Sequence, residues 1–262
     1  MGWLRHELAL CCIALQFLTR VPIPRWVGFD AAWLTTCVRH FPLVGALVGA
    51  FGAAVLALAA AFWPAWVAAT LAVGATAWLT CAFHEDGLAD TCDALMGWVP
   101  REKALLIMKD SRIGTYGTVG LLVVTGLRIG LLATLAAHDV ALACAALVAT
   151  HMWARASAVL LMVSLPYGGD AEHAKAKPLA LDVPAALVLP ALGWSALALA
   201  LPLPGLRLAL AAVLLLAWVL WMRAWLRRRL GGFTGDALGA TEQGAEALML
   251  LVLAGQAPGW LA

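Results

Sequence analysis

FPLVGALVGAFGAAVLALAAAFWPAWVAATLAVGATAWLTCAF, residues 41–83, contains no Asp, Glu, Lys or Arg. A membrane-crossing helix needs about 20 apolar residues, so this stretch is too long for one span and right for two. Trp63 and Pro64 interrupt it near its middle, which predicts a helical hairpin with a short turn. The form recurs: residues 118–137 and 140–164 flank a turn at His138 and Asp139, and residues 183–201 and 206–225 flank a turn at 202–205. Three such hairpins predict an all-α integral membrane protein of about six spans. They share no motif, so their likeness is architectural rather than a sequence repeat.

Composition agrees. Of 262 residues, 64% are apolar and 12% charged, where an ordinary soluble domain has roughly a quarter charged. With 13 Trp and a mean hydropathy of +0.91, a lipid bilayer must cover much of the surface. A formal charge of +2 gives no footprint for nucleic acid, and no nucleic-acid partner is expected. The six cysteines form no C-x-x-C pair and mostly lie in apolar runs, as buried free thiols do.

Both ends of the chain are less regular. Arg5 precedes a short apolar run at 8–18, but Gln16, Thr19, Arg20 and two prolines follow where a signal peptide would need small residues. That run is too short to span and reads as an N-terminal interfacial helix. Residues 245–260, with Glu246 and Pro258, could form a seventh span or a helix packed on the bundle.

Positive charge orients the spans. The hairpin turns carry only Arg207, whereas the other loops carry Arg20, Arg25 and Arg39; Arg101, Lys103, Lys109 and Arg112; Lys175 and Lys177; and Arg223, Arg227, Arg228 and Arg229. The expectation is a multi-pass protein of the cytoplasmic (inner) membrane whose motif loops face the cytoplasm.

Three loop motifs carry the chemistry. In His84-Glu85-Asp86-Gly87-Leu88-Ala89-Asp90-Thr91-Cys92-Asp93, a helix would project Asp86, Asp90 and Asp93 from one face, at i, i+4 and i+7. Solvation at a span end would relieve their repulsion; a divalent cation relieves it better, and carboxylates with bridging phosphates are how Mg2+ is usually held. Glu85 is a further candidate ligand beside them, and Gly87 and Ala89 would let a bulky anion approach. In Met108-Lys109-Asp110-Ser111-Arg112-Ile113-Gly114-Thr115-Tyr116-Gly117, Lys109 and Arg112 offer cations, Ser111 and Thr115 hydroxyls, and Gly114 and Gly117 backbone at a helix start, which together read as a phosphate cradle. The alternative is a positively charged anchor with a glycine turn. The glycine-rich loop 231–242 adds Thr234, Asp236 and Glu242 to metal or nucleotide binding, or is only a flexible exit from the preceding span.

Arg128 and Arg155 lie well inside the second hairpin, where charge is expensive and functional by default. They are expected to bind a pyrophosphate rather than to pair structurally. Since each guanidinium costs about 2.5–3.5 kcal/mol at a span centre, leucine at either position should leave apo stability unchanged or raised. His151 and His173 carry no assignment.

Taken in order, these motifs resemble the cobalamin-5'-phosphate synthase (adenosylcobinamide-GDP ribazoletransferase) family. Phe17-Leu18-Thr19-Arg20-Val21-Pro22-Ile23-Pro24 is similar to its N-terminal signature, and Phe41-Pro42-Leu43-Val44-Gly45 to the start of its first span. Residues 83–93, 108–117 and 232–240 are similar to its three strongest motifs, with His84-Glu85 a variable point. The resemblance implies a single membrane-embedded catalytic domain over residues 1–262. It also implies a magnesium-dependent transferase that joins alpha-ribazole, or its 5'-phosphate, to adenosylcobinamide-GDP with release of GMP. Asp86, Asp90 and Asp93 would then be the catalytic and metal-holding carboxylates, with Asp93 accepting the proton of the attacking hydroxyl. A homo-oligomer is left open.

Two rivals remain. CDP-alcohol phosphatidyltransferases also set spaced aspartates at a membrane surface, but Gly87-Leu88-Ala89-Asp90 breaks their usual pattern. A transporter would hold its polar residues near the midplane, and here they concentrate in one-sided loops.

Overall fold

In the computed structural model, residues 2–28, 30–169 and 183–255 are described. Lys175, Lys177, His173 and the segment from Gln256 onward, including Pro258, lie outside them.

Helix α1 (Trp3–Leu18) buries Ala9, Leu10, Ile13, Ala14 and Leu18 and leaves Trp3, Leu4 and Leu8 exposed. Such a two-sided helix suits an apolar–polar boundary. Short α2 (Ala31–Thr36), capped by Asp30 Oδ1 accepting from the Ala32 amide at 2.9 Å, leads through a 3-10 turn into α3 (Phe41–Ala60), with Pro42 in its first turn. The turn at Trp63 and Pro64 begins α4 (Ala65–Leu79), as the sequence predicts.

At Cys81 and Ala82 the backbone is left-handed, with φ of 57° and 54°, and α5 (Phe83–Leu95) leaves α4 at 89°. Then come α6 (Arg101–Met108), α7 (Thr115–His138) and α8 (Val140–Ser164). The expected turn at His138 and Asp139 is present: Asp139 ends α7 and caps α8, its Oδ1 accepting from the Ala141 amide at 2.8 Å.

The third hairpin is corrected. The segment expected to span at 183–201 is a short helical stretch, Ala185–Ala200, in which α9 (Val188–Ala196) is flanked by 3-10 turns. It is below the length of a span, whereas α10 (Gly205–Arg229) is long enough. The segment expected to begin at 245 belongs to α11 (Gly235–Ala254), a 20-residue helix that starts inside the supposed glycine-rich loop. Among the described residues, five helices are long and apolar enough to cross a membrane, and the bent α4–α5 pair makes a sixth candidate. About six spans therefore stand, differently composed.

Leu58, Leu122, Leu189, Leu206 and Val213 are among many large apolar side chains left exposed, as lipid-facing surface should be. Between helices, lipid supplies no hydrophobic drive, so close backbone approach matters more. Gly45 and Gly49, a G-x-x-x-G pair, press α3 onto α8: a Cβ at Gly45 would stand 2.3 Å from the His151 carbonyl oxygen, and one at Gly49 would stand 2.7 Å from the Val148 Cα. All six cysteines are free; Cys37 and Cys92 are buried and Cys81 is exposed. In α1, burial, with Cys12 and Glu7 adding to it, pushes the Cys11 thiol up to about 11.

The loop ends are tied together at one end of the bundle. The Arg101 guanidinium donates to the carbonyls of Leu230 (2.7 Å) and Gly168 (2.8 Å), Arg229 donates to Gly97 (2.8 Å), and Tyr167 and Phe233 form a backbone bridge. Arg20 lies 4.2 Å over the Trp78 ring. The ends of α5, α8 and α10 and the start of α11 thus share one face with the motif loops.

Because the α3–α8 contact has no room for a methyl group at Gly45, Gly45→Ala should lower stability by about 1–3 kcal/mol in detergent. Gly74→Ala, where a Cβ meets nothing within 4 Å, should be neutral or stabilising in the same thermal unfolding experiment.

Candidate active site

Glu85 and Asp86 lie in the first turn of α5, where helix amides favour negative charge. His84, Gly87, Leu88, Thr91, Cys92 and Leu95 face the protein; Asp86 is exposed and Asp90 and Asp93 are half-buried. The three aspartates therefore share one side of the helix, as their spacing predicts, with Asp86 open and Asp93 turned to α7.

Their roles separate. Both Asp93 carboxylate oxygens are engaged across the α5–α7 contact, Oδ2 accepting from the Gly114 amide at 2.6 Å and Oδ1 from the Gly117 amide at 2.8 Å. A Cβ on either glycine would come within 2.5 Å of this carboxylate. The anion expected at the start of α7 is thus the protein's own Asp93. This corrects the reading of Gly114 and Gly117 as free phosphate-binding backbone: a helix N-terminus attracts any anion, and the nearest one is a side chain. Gly120 extends the contact, closing against Cys92 Sγ.

Among the described residues, no three His, Cys, Asp or Glu side chains are grouped to hold a metal ion. Asp86 is exposed on the aspartate side of α5 and Asp90 is half-buried one turn further on. Gly87 does not admit substrate: the backbone of Asp236 occupies the space beside it, 2.7 Å from where a Cβ would stand. That crossing brings the first turn of α11 against the side of α5 that faces the protein. Ala89 is buried.

In the basic loop, Arg112 is exposed and paired with Asp110 at 2.5 Å, and Ser111 and Thr115 are exposed. Lys109 is half-buried at the end of α6. Thr234 is buried and structural, its Oγ1 accepting from the Ala237 amide at 3.2 Å as the cap of α11.

The largest departure from the sequence reading concerns Arg128 and Arg155. Both are buried, and both meet carboxylates of α11 that stand one turn apart. Arg128 Nη2 lies 2.7 Å from Glu246, and its Nη1 lies 3.2 Å from Glu85 and donates to Gln243 at 2.6 Å. Arg155 Nη1 lies 2.9 Å from Glu242 and 3.6 Å from Glu246. His151 stands 2.7 Å from Glu246, and His84 stands 2.6 Å from Glu242, an ion-pair distance without hydrogen-bond geometry. Structural pairing, which the sequence reading set aside, is what the fold contains. The sequence reading divides Glu242, in the glycine-rich loop, from Glu246, in a segment that could span or pack on the bundle; in the structure one helix, α11, carries both at i, i+4.

The cobalamin-5-phosphate synthase family model matches residues 10–254. The chain is 52% identical to the adenosylcobinamide-GDP ribazoletransferase of Leptothrix cholodnii, over 100% of this chain and 98% of the relative. It is 40% identical to those of Albidiferax ferrireducens, over 96% and 98%, and Shewanella amazonensis, over 97% of each. No solved structure matches it.

Removing one member of a buried ion pair strands the other and costs about 3–5 kcal/mol. Arg128→Leu and Arg155→Leu should therefore lower the detergent melting temperature sharply, reversing the expectation from insertion cost alone. An unchanged or raised melting temperature would restore that expectation.

Proposed function

The chain belongs to the cobalamin-5-phosphate synthase family, and we propose that it joins alpha-ribazole, or its 5'-phosphate, to adenosylcobinamide-GDP and releases GMP. The observation that carries this reading is the match along residues 10–254 to relatives bearing that name. The outward acidic face of α5, with the basic α6–α7 loop beside it, has the charge distribution that phosphoryl transfer needs.

In this reading a ribose hydroxyl attacks the phosphorus on the cobinamide side of the pyrophosphate. A new O–P bond forms, the bond to the GMP oxygen breaks, and GMP leaves. Asp86 and Asp90 would hold magnesium, which supplies charge neutralisation at the phosphate oxygens. One carboxylate of that pair accepts the hydroxyl proton. Asp93, with both oxygens taken by α7 amides, is a positioning residue that fixes the basic loop against α5. Lys109 and Arg112 bring cationic donors to the leaving nucleotide, Arg112 by exchanging Asp110 for phosphate. The buried arginines keep α5 and α11 in register. The motif loops face the cytoplasm of a bacterial inner membrane, in line with the lysine and arginine distribution.

Purified protein supplied with magnesium, adenosylcobinamide-GDP and alpha-ribazole should release GMP in step with joined product. Asp86→Asn and Asp90→Asn should each lower turnover about a hundredfold or more while remaining folded. No GMP release by the wild type, or release only with a CDP-linked lipid, would overturn the assignment.

A further inference from the structure

Behind the catalytic helices, α8, α9 and α10 enclose a crevice of about 250 Å³ lined by Trp153, Leu160, Leu192, Ala196, Ala212 and Val219 among others. Its wall is almost wholly apolar. The hydroxyls of Ser157 and Ser195, which also line it, donate back to the Ala154 and Ala191 carbonyls of their own helices, and the Trp153 indole N–H donates to the Ser195 carbonyl at 2.9 Å. No polar ligand is asked for along this wall. Leu192, Ser195 and Ala196 of α9 form one wall, close to where the helix passes into its C-terminal 3-10 turn.

At one end the chemistry changes. Val219 is followed on the same face of α10 by Arg223 and Arg227, one and two turns further on. Leu160 is followed on α8 by Ser164, whose carbonyl accepts from Arg223 Nε at 3.4 Å, so this arginine bridges the two helices at the mouth. Arg223 is half-buried, Arg227 is exposed, and neither has a carboxylate partner among the described residues. From Trp153 to Leu160 the α8 wall rises about 10 Å, the scale of an acyl segment lying along a helix.

An apolar slot inside the span region, with Arg223 and Arg227 one and two turns beyond its Val219 wall at the end where the loops gather, is complementary to one class of molecule. We propose that the α8–α9–α10 crevice is a binding site for one anionic phospholipid, with an acyl chain between α9 and α10 and the headgroup phosphate on Arg223 and Arg227. A lipid held there would support α9 against α8 and α10 from the side away from α5. This site stands whatever reaction the acidic face of α5 performs.

Native mass spectrometry of the detergent-purified chain, titrated with phosphatidylglycerol or phosphatidylcholine, tests it. One phosphatidylglycerol per chain should be retained in preference to phosphatidylcholine, and Arg223→Gln or Arg227→Gln should each lower that preference about fivefold. Ala212→Phe, which fills the crevice from its exposed wall, should remove retention of both lipids, and Ala196→Phe does the same from α9. Equal retention of the two lipids by the wild type, no retention, or undiminished phosphatidylglycerol on either phenylalanine variant would overturn the proposal.

Discussion

Everything at the working end of this protein depends on two arginines and two glutamates buried together inside the helix bundle. Arg128 on α7 and Arg155 on α8 converge on Glu242 and Glu246 of α11. Each charge alone would be costly in a membrane interior, and together they join three helices by ion pairs that lipid cannot compete for. Through His84 and Glu85 the same cluster reaches the first turn of α5. The helix with the outward aspartates is therefore fastened from beneath by charge and from the side by the hold of Asp93 on α7. Bent 89° away from α4, α5 packs instead against α11 and α7, with Leu88 and Cys92 meeting Ala240 in a small apolar cluster.

Glycine is the second constraint, and it acts as packing surface rather than as flexibility. Gly45 and Gly49 bring α3 onto α8, Gly87 and Gly239 cross α5 with α11, and Gly114 and Gly117 admit the Asp93 carboxylate. Backbones that approach this closely leave little slack, so the position of the acidic face is set by contacts that any added methyl group would disturb.

Much of this was legible in the sequence, for identifiable reasons. The charge-free run from Phe41 to Phe83 and the turn at His138 and Asp139 are local signals, and they fixed the first two hairpins. The i, i+4, i+7 aspartates were legible once α5 was taken as a helix. What escaped was non-local. Nothing in the basic loop says that Asp93, more than twenty residues earlier in the chain, occupies the amides of Gly114 and Gly117. The glycines at 231, 232, 235, 239 and 244 suit a binding loop or a flexible exit as readily as a helix, which hid the start of α11 and with it the partners of both arginines. Insertion cost was correctly assigned to Arg128 and Arg155, but it was offset by carboxylates placed in the wrong element. Residues 183–201 have a span's composition, yet only Ala185–Ala200 is helical and its α-helical part, α9, is broken off at both ends by 3-10 turns, which hydropathy does not register.

The account separates a buried scaffold of charge from an exposed site of chemistry, and one double substitution distinguishes them. Replacing Arg155 and Glu242 together, by Met and Leu, removes one charge of each sign and leaves Glu246 with Arg128 and His151, a change that is often neutral or stabilising in buried pairs, at the loss of the His84 contact to Glu242. GMP release from adenosylcobinamide-GDP and alpha-ribazole by this double variant is the measurement. The account predicts that it folds and keeps turnover within about tenfold of wild type, a change of about 1.4 kcal/mol in the barrier. A folded double variant that releases no GMP would contradict it, because Arg155 or Glu242 would then have to act on the substrate itself.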